Sequence, residues 1–574
     1  MRRPCGGRAG VGGAGHSSRS TTLHHLALSL QRRFEHLKSV DDLDEVFRLY
    51  SELSESKEGV LRSDLQAAVA WAESADKFSH SSTMRAYRTA LTFLVRHAAI
   101  YPSSVEHYEI LKNNVSSLAV DAFSYCVRQG NIKTAVEFSE QGRTVFWTQL
   151  TRLGTPLDDL SSLGADTAHL ADEFKRVSSR LRTLFDRASE LQSPQTRKLI
   201  AELDDVTSRI RSVPGFSRFL LPPQFHDLQT TAKDGPVIIM NASRYTCDAV
   251  IILHGSDPVH VKLNTSKDHL STLASRFRRV VDKPKLVTVK EIATILRELW
   301  DCAVEPVVRA LQEHAIAPDS RIWWCPTSDF TFLPFHAAGP FRKGQPNLLD
   351  LYISSYTPTL GTLLRARKRT RPLLDNPPFA VVGASEPLGE APLPSVTAEL
   401  SLVAERVRDH AHVTLLANKD ATIERATDAF KRCEWLHLAC HGIPDQTQPF
   451  DSSFALHNGH LTLRKLVQSD FQNPDFAFLS ACRTTVGDAT TPDEVIHLAA
   501  AMQFGGFRSV IGTVLPVDDA VAGRIVSAFY THLLDASSTR LDCSMAAVAL
   551  HKSLKALRGK ISFDQQIVFI HIGI

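Results

Sequence analysis

Two segments of this sequence each end an apolar run in a side chain that could take part in covalent chemistry. Residues 435–440 read Trp-Leu-His-Leu-Ala-Cys and lead into His441, and residues 476–481 read Phe-Ala-Phe-Leu-Ser-Ala and lead into Cys482. A thiol with an ordinary pKa of about 8.5 is only a few per cent thiolate at neutral pH, and a neighbouring imidazole can take its proton. Cys482 is therefore predicted as a nucleophile and His441 as its general base.

This chemistry requires that the two side chains meet at one edge of a sheet. If the two apolar runs are neighbouring parallel strands, both run out at the same edge, where functional residues of open α/β sheets gather. The chain between them is long enough for the return connection that parallel neighbours need. Gly442 has no Cβ, so its N–H could approach a substrate carbonyl closely. Together with the N–H of Cys482 it would form an oxyanion hole.

Other histidines have competing interpretations. His437 lies four positions before His441, so in a strand both would face the same side, and His437 is an alternative base. Its place inside an apolar run favours a buried, hydrogen-bonded histidine instead. His336 follows Pro334 in an apolar loop, and His497 lies within a predicted helix. Core placement is the preferred interpretation for both.

The periodicity of the apolar residues divides the chain into regions. Residues 26–160 show helical stripes with small residues, typical of tetratricopeptide-like helix-pair repeats. Residues 161–235 carry two heptad seams, predicting a helical hairpin connector that is either a rigid arm or simply another helix pair. Residues 236–368 and 379–574 show short apolar runs alternating with helices. The fold class predicted is an N-terminal all-α region followed by an α/β region with a largely parallel sheet.

Composition excludes several function classes. The 574 residues carry a formal charge of +3, so we expect neither nucleic acid nor a membrane surface as a partner. The nine cysteines are scattered without zinc-ligand spacing, which predicts reduced, buried thiols and a cytoplasmic location. Neither a phosphate loop nor HExxH occurs, so no metal or cofactor is expected. Residues 1–25 are expected to be a disordered leader, with a mitochondrial transit peptide as the alternative.

The segments around the two candidate residues resemble the CHAT family, caspase-like cysteine peptidase domains of the clan CD type found with tetratricopeptide-type repeats. The resemblance rests on several segments of this chain, namely Glu140–Arg143, Leu333–Gly339, Ser355–Thr359, His437–Gly442, Phe478–Cys482, Glu494–Met502, Arg508–Thr513 and Phe569–Gly573. It implies a caspase-like fold, a cysteine endopeptidase acting on a protein or peptide, and a dyad carried onto His441 and Cys482. One departure is Leu515, where similar sequences often carry Trp.

Specificity and activity leave alternatives open. An acidic residue near the dyad could line the S1 pocket and select a basic P1 side chain, as in several caspase-like relatives. The candidates are Asp445, Asp488, Asp493, Glu494, Asp518 and Asp519. Asp445, three residues beyond Gly442, is preferred, because the helix-start role explains the pairs before Val495 and Ala520. The helical repeats are expected to bind a protein partner. The alternatives to the peptidase are a catalytically inactive interaction scaffold and, more remotely, an acyltransferase or deamidase.

Overall fold

The computed structural model describes residues 19–53, 62–100, 117–143, 157–185, 194–219, 221, 224–282, 288–369, 372–445, 449–468, 471–481, 484, 497–537 and 540–574. The chain divides into two compact units. One comprises Met1–Gly130 and Thr148–Pro222, and the other comprises Asn131–Trp147 and Pro223–Ile574. The predicted 1–25 leader falls largely outside the described residues.

The first unit is helical where it is described. Its helices are α1 (Arg19–Leu37), α2 (Val40–Leu53), α3 (Arg62–Lys77), α4 (Thr83–Ile100), α5 (Leu118–Arg128), α7 (Leu157–Ser161), α8 (Ala165–Phe185) and α9 (Pro194–Arg211). The apolar stripe predicted on α4 is buried at Tyr87, Leu91 and Leu94. This packing confirms an N-terminal helical region. Its assignment to tetratricopeptide-like repeats stays a prediction.

Helices α8 and α9 bury part of the two predicted heptad seams together. Phe174 of α8 joins Val206 and Ile210 of α9 in one apolar cluster, which also contains Leu157 and Leu160 of α7. Side chains at three- and four-residue steps lie on one helix face, so each seam can pack on the other. Whether this pair forms a separate connector domain stays a prediction.

The second unit combines helices with two sheets. Its helices are α6 (Ile132–Gly142), α10 (Phe225–Gln229), α11 (Lys267–Asp282), α12 (Val289–Leu299), α13 (Glu305–Glu313), α14 (Leu348–Leu351), α15 (Leu360–Lys368), α16 (Val396–Val407), α17 (Ile423–Arg432), α18 (Leu463–Gln468), α19 (Leu498–Phe504), α20 (Asp519–Ser537), α21 (Ala546–Leu557) and α22 (Phe563–Gln566). A π-helical turn at Trp300–Val304 joins α12 to α13.

The main sheet has eleven strands. In chain order they are β1 (Val237–Ala242), β2 (Cys247–Ile252), β3 (Val259–Lys262), β4 (Arg321–Pro326), β5 (Ile353–Tyr356), β6 (Pro378–Gly383), β7 (His412–Ala417), β8 (Trp435–Ala439), β12 (Phe476–Ser480), β13 (Ser509–Thr513) and β14 (Phe569–Gly573). A second sheet pairs β9 (His441–Ile443), β10 (Ser453–Leu456) and β11 (Gly459–Thr462).

The main sheet is largely parallel, as predicted. Its spatial order is β3-β2-β1-β4-β5-β14-β13-β12-β8-β6-β7. Seven of the ten neighbouring pairs among these described strands are parallel, and three are antiparallel. The central strands β8, β12 and β13 are buried along their whole length. Burial on both faces explains why they read as continuous apolar runs rather than as alternating ones.

The two strands that precede the candidate dyad are parallel neighbours, which confirms that prediction. Strand β8 pairs with β12 in the register Trp435↔Phe476 through Ala439↔Ser480. The N–H of Cys440 continues the ladder by donating to the Ser480 carbonyl at 3.4 Å. Both strands therefore run in the same direction and end opposite each other.

Helix α6 lies in the second unit although it precedes part of the first unit in the chain. The Glu140 carboxylate accepts from the backbone N–H groups of Leu360 (3.0 Å) and Gly361 (2.9 Å), the first residues of α15. Three residues on, the buried Arg143 guanidinium donates to the Pro326 carbonyl at the end of β4. A Cβ on Gly361 would lie 2.4 Å from the Glu140 Oε1, so only glycine permits this approach. Glu140 thus caps α15 from a remote part of the sequence.

We expect Glu140→Ala to lower the unfolding free energy of the second unit by about 2 kcal/mol, because two N–H groups at a helix start lose a charged acceptor. Denaturant unfolding followed by tryptophan fluorescence measures the change. Lys133→Ala is the matched control on the same helix, because its ion pair with Asp257 is exposed on both sides and such pairs contribute at most about 1 kcal/mol. Superimposable curves for Glu140→Ala and wild type would contradict this account.

None of the helices in the described ranges combines the length and hydropathy that a bilayer crossing requires.

Candidate active site

His441 lies where the chain leaves the main sheet and enters the small one. It follows β8 by two residues and begins β9, in which it pairs with Ala455 of β10. The pairing continues through Gly442↔Phe454 and Ile443↔Ser453. The turn from one sheet into the other therefore places a partly exposed His441 at the carboxyl edge of the parallel strands.

The imidazole of His441 is oriented by a backbone carbonyl. Its Nε2 lies 2.8 Å from the carbonyl oxygen of Ala391, in the segment that connects β6 to α16. A carbonyl oxygen can only accept, so Nε2 must carry the hydrogen. In the neutral ring the lone pair then lies on Nδ1, and no described residue occupies it. The arrangement leaves His441 with a basic nitrogen available for a proton from a neighbouring group.

Ala481 and Thr484 are bonded to the last residue of β13. The Thr513 hydroxyl donates to the Ala481 carbonyl at 2.5 Å. The backbone N–H of Thr513 donates to the Thr484 hydroxyl at 2.8 Å. Cys482 itself lies outside the described residues, so its assignment as nucleophile and its part in the oxyanion hole stay predictions.

The other two predicted site residues lie beside His441. Gly442 is the middle residue of β9. Asp445 follows that strand, is partly exposed, and donates its backbone N–H to the Ser452 hydroxyl at 2.9 Å. The structure thus brings His441, Gly442 and Asp445 into one short stretch at the same edge of the sheet. The oxyanion-hole role of Gly442 and the specificity role of Asp445 stay predictions.

His437 is buried in a polar network below this edge. Its Nε2 lies 2.9 Å from the Glu399 carboxylate of α16, and its Nδ1 lies 3.1 Å from the Tyr530 hydroxyl of α20. The side chains of His437 and Glu399 are 0% and 2% exposed. Both ring nitrogens are therefore engaged away from solvent, in keeping with the interpretation of His437 as a buried, hydrogen-bonded histidine.

His336 and His497 are also buried and hydrogen-bonded. His336 Nδ1 lies 2.9 Å from the Tyr356 hydroxyl and its Nε2 lies 3.1 Å from the Ile567 carbonyl. His497 immediately precedes α19, not within it as expected, and its Nδ1 accepts from the Ala500 N–H. Burial lowers the pKa of each imidazole from 6.5 to about 4. Core placement accounts for both.

Seven of the nine cysteines are described, and all seven are buried thiols. Burial raises the pKa of the Cys433 thiol to about 12, far from the range of a nucleophile. Cys440, beside His441, is 3% exposed and packs in the core. Among the residues that the structure describes, no group of three or more His, Cys, Asp or Glu side chains could hold a metal ion.

Residues 293–564 match the family model of the CHAT domain. This part of the chain is similar to the CHAT domain. The match includes β4 to β13 with His441, Gly442, Asp445 and the position of Cys482. It starts within α12 and so leaves out β1–β3 at one end of the main sheet.

Solved structures similar to the whole chain are more distant. The crystal structures of the Saccharomyces cerevisiae separase–securin complex at 3.0 and 2.6 Å share 10% identity with it, at TM-scores of 0.46 and 0.47. The two matches cover 98% and 97% of this chain and 55% of the matched chains. This chain therefore spans about half the length of those proteins. The crystal structure of the Arg-specific cysteine proteinase gingipain R shares 13% identity with this chain at a TM-score of 0.31. That match covers 53% of this chain and 74% of the gingipain chain. Comparison with the curated proteins gives no match.

The sequence did not reveal three hydrogen-bond partners of the histidines in this region: the Ala391 carbonyl, Glu399 and Tyr530. The Ala391 carbonyl has no sequence signal, because every residue carries a carbonyl. Glu399 and Tyr530 are a buried acid and a buried phenol on two helices. An acidic residue on the apolar face of a helix, as Glu399 is, indicates a buried polar partner, because a buried carboxylate needs one.

The lowered pKa of His336 predicts a loss of stability in acid. Between pH 6.5 and pH 4 the unfolded chain binds a proton that the folded chain excludes, so the unfolding free energy falls as pH falls. The loss between pH 7 and pH 5 is about 2 kcal/mol for this group. We expect His336→Gln to remove that part of the pH dependence, measured by urea unfolding at both pH values. An unchanged difference between the two pH values would show that His336 is protonated in the folded protein.

Proposed function

We propose that this protein is a cysteine endopeptidase in which Cys482 is the nucleophile and His441 the general base. The observation that carries the proposal is the parallel register of β8 and β12. Because Ala439 pairs with Ser480, His441 and Cys482 each follow the paired end of their strand by two residues. Parallel neighbours deliver such residues to one edge of the sheet.

The tautomer of His441 supports its role. With the hydrogen on Nε2 held by the Ala391 carbonyl, Nδ1 is the atom that accepts the proton of the Cys482 thiol. The thiolate then attacks the carbonyl carbon of the scissile peptide, forming a C–S bond and moving the π electrons onto oxygen. As that oxyanion collapses, the C–N bond breaks and the leaving amine takes the proton from His441. Water, deprotonated by His441, then hydrolyses the thioester and regenerates the thiol.

Two further residues complete the proposed site. The N–H groups of Gly442 and Cys482 would hold the oxyanion, an interaction whose loss costs about 3–4 kcal/mol per donor in comparable sites. Asp445 would select a basic side chain at P1 through its carboxylate. Its place two residues after the end of β9, on the same short stretch as His441, supports this role.

The helical unit is proposed to bind a protein partner that directs or restrains the peptidase. Exposed apolar side chains between α1 and α2, Leu37 at 69% and Val40 at 65%, offer such a partner apolar surface. The buried thiols of the described part are typical of a reducing compartment, and we propose the cytoplasm.

A thiol-directed peptide probe with arginine at P1 tests the dyad. We expect the purified wild-type protein to be labelled at Cys482, with labelling lost in Cys482→Ala and lowered by roughly a hundredfold or more in His441→Ala, because the thiol then lacks its base. Mass spectrometry of the labelled peptide identifies the site. Cys440→Ala is the matched control, because that buried thiol adjoins His441 and should leave labelling unchanged.

Equal labelling of wild type and Cys482→Ala would exclude the peptidase and favour the interaction scaffold. If labelling depends on Cys482 but the protein cleaves no peptide, the same dyad would instead catalyse an acyltransferase or deamidase reaction.

A further inference from the structure

His437 in β8 and His441 just beyond it contact two consecutive parts of the chain, the segment that connects β6 to α16 and the first turn of α16. His441 Nε2 reaches the Ala391 carbonyl within this segment, and His437 Nε2 reaches the Glu399 carboxylate in the first turn of α16. The two acceptors are close neighbours in the chain, and so are the two histidines. One contact is partly exposed and belongs to the proposed dyad. The other is fully buried.

The connecting segment has little packing of its own. Residues 388–392 are all exposed, and Leu388 is 62% exposed. Its backbone is tied by the Leu388 N–H to the Leu456 carbonyl at 3.3 Å and by the Leu393 N–H to the Ser385 carbonyl at 2.8 Å. At the start of α16 the Ser395 N–H donates to the Asp519 carboxylate at 2.8 Å. An exposed segment with few contacts takes its geometry from the anchors at its ends.

The buried hydrogen bonds that link Tyr530, His437 and Glu399 all donate in the same direction along the chain of side chains. Burial raises the pKa of Tyr530 well above its usual range, so its hydroxyl stays protonated and can donate to His437 Nδ1. His437 Nε2–H then donates to the Glu399 carboxylate. The anchor therefore joins α16 to β8, and Tyr530 supports the histidine from the side of α20.

We propose that Glu399, held by His437, is a positioning residue that places the Ala391 carbonyl against His441. This inference rests on the proposed function for its effect on the dyad. Loss of the Glu399–His437 bond would leave the Ser395–Asp519 bond as the polar anchor at the start of α16 and let the Ala391 carbonyl move away from Nε2. His441 would then populate its other tautomer, with hydrogen on Nδ1, and could not accept the thiol proton there.

Four substitutions test this role. Glu399→Ala removes the hydrogen-bond acceptor. Glu399→Asp keeps a carboxylate but shortens the side chain by one methylene, which moves the acceptor away from His437. Glu399→Gln keeps an oxygen in place and is the conservative rescue. Tyr530→Phe is the matched control, because it weakens the same buried network without releasing α16 from His437.

Two measurements on the full chain separate positioning from general stability. Hydrogen exchange followed by mass spectrometry reports the backbone of residues 384–395. The rate of Cys482 alkylation by iodoacetamide, measured across pH, reports the dyad. We expect Glu399→Ala and Glu399→Asp to exchange faster in this segment, to react roughly tenfold more slowly at neutral pH, and to shift their pH profile toward that of His441→Ala. Glu399→Gln and Tyr530→Phe should resemble wild type in both.

Unchanged exchange of residues 384–395 in Glu399→Ala would overturn the proposal, as would faster exchange with an unaltered pH profile. If Tyr530→Phe slows the alkylation of Cys482 as much as Glu399→Ala does, Glu399 has only a structural role in the buried network. If wild-type alkylation does not depend on His441, the proposed peptidase fails, and with it the effect on the dyad, while the exchange experiment still decides whether Glu399 holds the segment.

Discussion

The pairing of β8 with β12 is the constraint on which the proposed active site depends. Side chains in strands alternate between faces, so a slip of one residue would turn His441 or Cys482 toward the wrong side. The register is fixed by five consecutive pairs of buried residues, from Trp435↔Phe476 to Ala439↔Ser480. Burial of both strands on both faces makes any other register costly. The buried core around β8 and β12 therefore fixes Ala439 and Ser480 opposite each other at the ends of the two strands.

Two histidines near the end of β8 illustrate how environment separates chemical roles. His437 is fully buried with both nitrogens bonded, whereas His441 is partly exposed with one nitrogen bonded to a carbonyl. A histidine with both nitrogens occupied cannot exchange a proton with a substrate. One with Nδ1 available can do so. The segment from Ala391 to Glu399 touches both rings, so the orientation of the outer histidine is linked to the bonding of the inner one.

The sequence predicted the parts of the fold that follow from hydrophobic pattern. Strand β8, Trp435–Ala439, lies within the apolar run at residues 435–440, and the parallel sheet follows from continuous apolar runs. Features set by tertiary contacts were not predictable. The π-helical turn Trp300–Val304 between α12 and α13 is one such feature, because periodicity does not report an inserted residue. The Ala391 carbonyl carries no side-chain signal. The Glu140 cap joins residues far apart in the sequence. The dyad geometry stays a prediction, since Cys482 lies outside the described residues.

The thiol pKa of Cys482 tests the central claim most directly. It is measured from the pH dependence of alkylation by iodoacetamide, with the modified peptide identified by mass spectrometry. A sulfur paired with the His441 imidazole should show a pKa well below the ordinary value of about 8.5, and His441→Ala should restore that value. A wild-type pKa at or above the ordinary value, unchanged in His441→Ala, would mean that the two side chains do not meet at the edge of this sheet.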